Sequence, residues 1–237
     1  MSQLCLEDPL GTAKICASLA ADIERMGYSI CISSDLRKLS ELKVAVRNEP
    51  IAPFFDPNIC NLSVDRTFWM SLSSSSGATA ALQAYRYDYV DTSLADWGPS
   101  YIIGLYMLRQ EMLIPTHAAP PKNSIAERIR GKLVYHGEFW FDPHVRNRQL
   151  FDSFSRLGII LSLMKWNPDA LWALSSHRMA THGHLNRMGY TYLEKGFLRW
   201  QWASDGMDPV EWLAVAERPS LEQMINEVTT SHRPPLL

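Results

Sequence analysis

The sequence predicts an α/β protein of the α+β kind, with one central curved mixed sheet flanked by helices. Three observations predict it. Apolar residues switch repeatedly between the two-residue spacing of strands and the longer spacing of helices, so the two element types intermix along the chain. Midway, residues 67–72 and 78–89 read as strands joined by the flexible run SSSSG, a hairpin. Between Lys132 and Leu193, a strand, an arginine-bearing loop, a helix, a strand and a closing helix follow in order. A hairpin inside such an order packs helices against a sheet.

Residues 11–26 carry Ile15, Leu19, Ile23 and Met26 at helical spacing and stop at Gly27. Residues 28–32 (YSICI) make a first strand. Asp35 then caps a helix over residues 36–47, with Leu36, Leu39, Leu42 and Val46 on one face. Pro50, Pro53 and Pro57 turn the next segment into a loop. In the second hairpin strand Tyr85, Tyr87 and Tyr89 share one face, and Arg86 and Asp88 take the other. Residues 92–130 form an insertion with Trp97-Gly98-Pro99 and an apolar stretch starting at Tyr101. That stretch is either a core helix covering the sheet or the wall of an apolar pocket. Residues 133–141 (LVYHGEFWF) alternate as a strand until Asp142-Pro143 breaks it. The helix over residues 149–166 presents Leu150, Phe154, Leu157, Ile160, Leu161 and Met164. Residues 169–175 read as a strand and 181–188 as one short helix ending at Gly189-Tyr190. Residues 197–202 are a further strand, and 209–216 and 220–228 short helices. The expectation is one domain over residues 1–237, with the insertion at 92–130 and a helical C-terminal extension at 203–237.

A hydrophobic content of 46% suffices for a full core. The net charge of -2 argues against bulk nucleic-acid binding, which rests on a broadly basic surface. Locally, Lys122, Arg128, Arg130, Lys132, Arg146 and Arg148 outnumber the acids Glu127, Glu138 and Asp142. Cys5, Cys16, Cys31 and Cys60 lack paired spacing, and no secretory leader is read, so free thiols in the cytoplasm are expected. No apolar run approaches the roughly 20 residues of a membrane span. His182-Gly183-His184 has no convergent third ligand, so no metal is expected.

The loop between Phe141 and Gln149 brings Arg146 and Arg148 to the start of a helix. Unpaired N–H groups and the helix dipole point to the same place, which suits a phosphate.

The runs GEFWFDPHVRNRQLFDSF and DALWALSSHRMATHGHLNRMGY, with the hairpin before them, resemble the GNAT superfamily of acyl-CoA-dependent N-acyltransferases, as a divergent member. The resemblance covers residues 132–193 best. It implies a GNAT-like fold and acetyl-CoA or another acyl-CoA as co-substrate, held by Phe139, Phe141, Val145, Arg146, Asn147, Arg148, Gln149, Leu150, Phe151 and Arg178. The family's glycine-rich pyrophosphate loop survives here only as Arg146; Gln149 and Phe151 fall where a Cβ hinders the approach of backbone amides. Arginine hydrogen bonds, worth on the order of 1.5–3 kcal/mol each, can offset one or two lost amides. The family's acid tyrosine falls on Leu185 and its asparagine on Arg178.

Acyl transfer to an amine needs a base, an oxyanion donor and a proton for the thiolate. Glu138 is the base expected, with His136 on the same strand face and Tyr190 as an acid; a backbone N–H near 139–141 would meet the thioester carbonyl. His177, His182 and His184 are further titrating groups near the closing helix. Three functions stay open: an N-acyltransferase acting on a small-molecule or peptide amine, an acyl-carrier-protein-dependent N-acyl amino acid or acyl-homoserine-lactone type synthase, and a non-catalytic ligand-binding or interaction protein. A homodimer is compatible with each.

Overall fold

In the computed structural model, residues 8–109, 120–200 and 208–231 are described. Cys5, Trp202, Pro234 and Pro235 lie outside them. The described strands join one seven-stranded mixed sheet in the order β1-β2-β3-β4-β5-β7-β6, flanked on both faces by helices.

The first helix, α1 (Pro9–Arg25), starts two residues before the periodic run because Asp8 caps it, its Oδ1 accepting from Gly11 N–H at 2.8 Å. Strand β1 (Tyr28–Ser33) and helix α2 (Leu36–Arg47) follow, and Asp35 caps α2 as its position suggests. Strands β2 (Thr67–Ser74) and β3 (Thr79–Val90) pair antiparallel, as do β1 and β2. Helix α3 (Leu94–Leu108) lies within residues 92–130 and buries Leu94, Gly98, Ile102 and Leu105, so this helix covers the sheet. Strand β4 (Gly131–Phe141), helix α4 (Arg148–Trp166) and strand β5 (Ala170–Ser175) form a crossover that makes β4 and β5 a parallel pair.

Three readings change beyond this point. The closing helix is two short helices, α5 (His177–Thr181) and α6 (His184–Met188), broken where Gly183 takes φ 73°. The following strand, β6 (Tyr192–Arg199), begins five residues earlier than expected. Residues 209–216 are not helical: they are β7 (Val210–Glu217), inserted between β5 and β6, so the C-terminal extension is a strand followed by α7 (Arg218–Ser231). Leu213, Ala214, Val215 and Ala216 are fully buried, and a run buried on both faces carries no period by which a strand is recognised.

The two faces of the sheet build two cores. On one, α1, α4, α6 and α7 cover Phe68, Tyr85, Val134, Leu171 and Ala214. On the other, α2, α3 and a 3-10 turn, Pro53–Phe55, cover Trp69, Tyr135, Trp172 and Leu213. Buried Arg86 ties the second side together: it pairs with Asp88, donates to the Phe54 carbonyl at 2.9 Å and bonds the Tyr101 hydroxyl.

Candidate active site

Parallel pairing between β4 and β5 lasts only three residues, Leu133 to Tyr135 against Ala170 to Trp172. Beyond it the strands part. On their outer sides both stay paired, β4 with β3 as far as Phe141 and β5 with β7 as far as Ser175. The parting has a local cause. The β3 register slips between Leu82 (opposite Trp140) and Ala84 (opposite Gly137), which gives β4 an extra residue, and Glu138 sits at φ 53°. Such a bulge bends its strand and re-aims the side chains after it. A Cβ on Gly137 would lie 2.7 Å from the Tyr135 ring and 2.8 Å from Phe55, so glycine is required for this close turn.

The result is a cleft of about 1230 Å³ through the middle of the sheet, above the roughly 300–1,000 Å³ of ordinary small-ligand sites. One bank is β4 from Tyr135 to Phe141; the other is Ala173, Leu174 and Ser175 of β5. Beyond Tyr135 and Trp172 the facing backbone edges of β4 and β5 do not pair with each other.

The cleft has two unlike sides. Arg146, Arg148 and Arg178 stand exposed on the α4 side, where Asn147 caps α4 through a 3.0 Å bond from Leu150 N–H. The Phe151 amide also donates to Asn147, leaving the N–H groups of Arg148 and Gln149 at the helix start. Phe139, Phe141, Val145, Asn147 and Phe151 line this side too. Of the ten residues expected to hold the co-substrate, Leu150 and Gln149 do not line the cleft and Phe151 is packed into its wall. Leu150 is buried in the core and Gln149 points away toward α1. Phe151 packs against Phe139 and Phe141 with centroids 5.3 Å away in each case, and the Arg187 guanidinium lies 4.8 Å above its ring. Its ring is therefore packed into the wall of the cleft beside the start of α4.

The expected Glu138/His136 pair does not exist. The bulge breaks the alternation, so the two side chains leave opposite faces of β4. His136 stacks on Tyr85 at 4.5 Å and its Nδ1 bonds the Tyr190 hydroxyl at 3.0 Å. Burial holds this imidazole down at about 3, so it is neutral across the physiological range. Tyr190 is 1 % exposed and burial raises its phenol well above the ordinary range. It does not line the cleft, which removes it from direct proton delivery. Glu138 lies on the α2 side and is held at both ends: Oε1 accepts from Ala52 N–H at 2.6 Å and Oε2 meets Lys43 Nζ at 2.7 Å.

The local basic run also divides. Arg128 pairs with Glu217 at the end of β7, and Arg130 precedes the first residue of β4, whereas Arg146 and Arg148 follow its last. Eleven residues of strand, roughly 35 Å, separate the two groups.

One cleft residue was not anticipated. Glu211 of β7 lies on the α2 and α3 side, where its Oε1 accepts from Trp200 Nε1 at 2.7 Å. Burial, reinforced by the negative charge of Asp208, pushes its carboxyl up to about 7, although the Trp200 bond opposes this. Reading residues 209–216 as a short helix concealed it, and the run from Val210 to Ala216, with Glu211 its one polar residue, shows no alternation that would have revealed the strand. His184 also lines the cleft and is lowered chiefly by burial, then by Arg187. No group of three or more metal-ligating side chains occurs among the described residues.

No protein-family profile matches the chain, and no curated protein does. Solved structures similar in shape include NAA60 of Arabidopsis thaliana in complex with acetyl-CoA, at 12% identity and a TM-score of 0.49, covering 81% of this chain and 99% of that one. An acetyltransferase of the GNAT family from Streptococcus pneumoniae gives 10% identity and 0.43, over 80% and 99%. FeeM, an N-acyl amino acid synthase from uncultured soil microbes, gives 11% identity and 0.38, over 92% and 91%.

Proposed function

We propose that this chain is an N-acyltransferase that takes an acyl group from a pantetheine-bearing donor, acyl-CoA in the first instance, and places it on an amine. The observation that carries this reading is the gap between β4 and β5. An extended arm with amide groups can lie in it as a strand would, bonding the bare edges on both banks. At one end of the gap Arg146, Arg148, Arg178 and the start of α4 suit the donor's phosphates. At the other end Tyr135, Glu138 and Glu211 make a half-polar, half-aromatic chamber for the acceptor. Backbone N–H groups of β4 past the bulge are the donors available to a thioester oxyanion. In this scheme Glu138 is a positioning residue, clamping α2 and the Ala52 loop beside the chamber.

A second reading changes only the donor. With Phe151 packed into the cleft wall beside the start of α4, an acyl-carrier protein delivering its own arm needs less of that corner, and the exposed arginines would meet its acidic surface. One experiment separates the two. Acetyl-CoA and a long-chain acyl-CoA at millimolar concentration should raise the melting temperature, and Arg146→Ala with Arg148→Ala should remove most of that shift. A holo carrier protein binding at low salt, with no CoA shift, selects the second donor. Neither ligand binding, and no acylation of any amine, leaves the scaffold reading of a non-catalytic protein.

A further inference from the structure

We propose that Glu211 takes the proton from the acceptor, and that the acceptor therefore enters as an ammonium ion. This rests on the acyltransfer reading and assigns its base.

The argument is one of charge and access. Four ionic groups line the acceptor side of the cleft: Lys43, Arg47, Glu138 and Glu211. Lys43 and Glu138 neutralise each other at 2.7 Å, and Arg47 is paired with Glu49 at 2.9 Å. Glu211 has no ion-pair partner among the described residues. Among the described residues only its Oε1 is bonded, to the indole of Trp200, and the side chain lines the cleft. The groups around it are Trp200 from the end of β6, Asp208 just before β7, and Tyr135 from β4, with Glu138 beyond Tyr135. None is a cation. A chamber whose one uncompensated ionic group among the described residues is a carboxylate attracts an ammonium and repels an anionic acceptor.

The step balances simply. The Glu211 carboxylate accepts one proton from R–NH3+. The neutral nitrogen attacks the thioester carbonyl, the C–N bond forms, and the tetrahedral intermediate collapses with cleavage of C–S. The second amine proton goes to the departing thiolate, and Glu211 returns its own proton to solvent. A carboxyl poised near neutrality is both ionised often enough to accept a proton and basic enough to hold it.

The test measures kcat/KM against pH with acetyl-CoA and a panel of primary amines. Wild type should rise with pH through a midpoint near 7. Glu211→Gln should lose that limb and fall about 10²–10⁴-fold, while the acetyl-CoA melting shift stays as in wild type. Trp200→Phe removes the bond that favours the carboxylate, so its limb should move to higher pH. A Glu211→Gln enzyme that keeps rate and limb overturns the assignment, as does a Trp200→Phe limb that does not move. Carbon-detected NMR of the glutamate carboxyls gives a readout without turnover: a Glu211 midpoint below 5 overturns the proposal. A wild type that acylates no amine fails the acyltransfer reading itself, and the retained or absent acetyl-CoA shift shows which part has failed.

Discussion

At the scale of single residues, Glu138 shows how one backbone angle decides chemistry. Two residues from His136, it ought to share its face, and a regular strand would give a histidine-glutamate pair. At φ 53° it crosses to the other side and becomes half of a buried ion pair with Lys43, the two side chains 1% and 10% exposed. Removing one partner of such a pair leaves an uncompensated buried charge. Glu138→Gln should therefore destabilise the fold by about 3–5 kcal/mol in urea unfolding. Adding Lys43→Met should recover a large part of that loss, since the stranded ammonium is gone. If the double variant is as unstable as the sum of the singles, the pair is not coupled. The residue types at 136, 138 and 190 were legible as polar groups in apolar company. Their pairing was not, because a bulge leaves no mark in the pattern of residues beyond an unremarkable Gly137.

At the scale of elements, α4 illustrates why the sheet can be both covered and open. Gly158 lets α4 settle onto β3: a Cβ there would lie 2.5 Å from Gln83 Nε2 and 2.6 Å from the Tyr85 hydroxyl. The Tyr85 hydroxyl donates to Gln83 Oε1 at 2.8 Å, and Gln83 Nε2 donates to the Phe154 carbonyl at 2.7 Å. Gly158→Ala should force α4 outward and lower stability by about 1–3 kcal/mol, despite alanine's better helix propensity. An unchanged or raised melting temperature would show that the Gln83 network yields without cost. Elements with one wet face, such as α1, α2 and α4, were found within a few residues from their periodicity. Those buried on both faces were not, and β7 is the clearest case. It was read as a helix, and the carboxylate it carries into the cleft was lost with it.

For the whole molecule, two buried titrating groups pull stability in opposite directions. His136 is held near 3 in the fold against an ordinary 6.5, so the unfolded chain binds the proton first and stability falls as pH drops below about 6.5. The slope is about 1.4 kcal/mol per pH unit. Glu211, held near 7 against an ordinary 4.5, does the reverse: the fold binds the proton first, so its contribution is full below 4.5 and is lost as pH rises toward 7. Between about 4.5 and 6.5 the two slopes oppose each other. Urea titrations across pH 4 to 8 should therefore show wild type flatter in this window than either variant, with Glu211→Gln losing stability on acidification and His136→Gln gaining it. Parallel curves for all three would mean that neither group is buried as described.

By itself the sequence determined most of the elements and their order, with β7 the exception, the cap of α2, and the arginines at the start of α4, because these follow from local periodicity and from groups close together in the chain. Only the tertiary structure decided that β4 and β5 part after three residues, that His136 and Glu138 face away from each other, and that Glu211 lines the cleft between those strands. Those outcomes depend on strand register and on neighbours dozens of residues apart, whose contact no local pattern encodes.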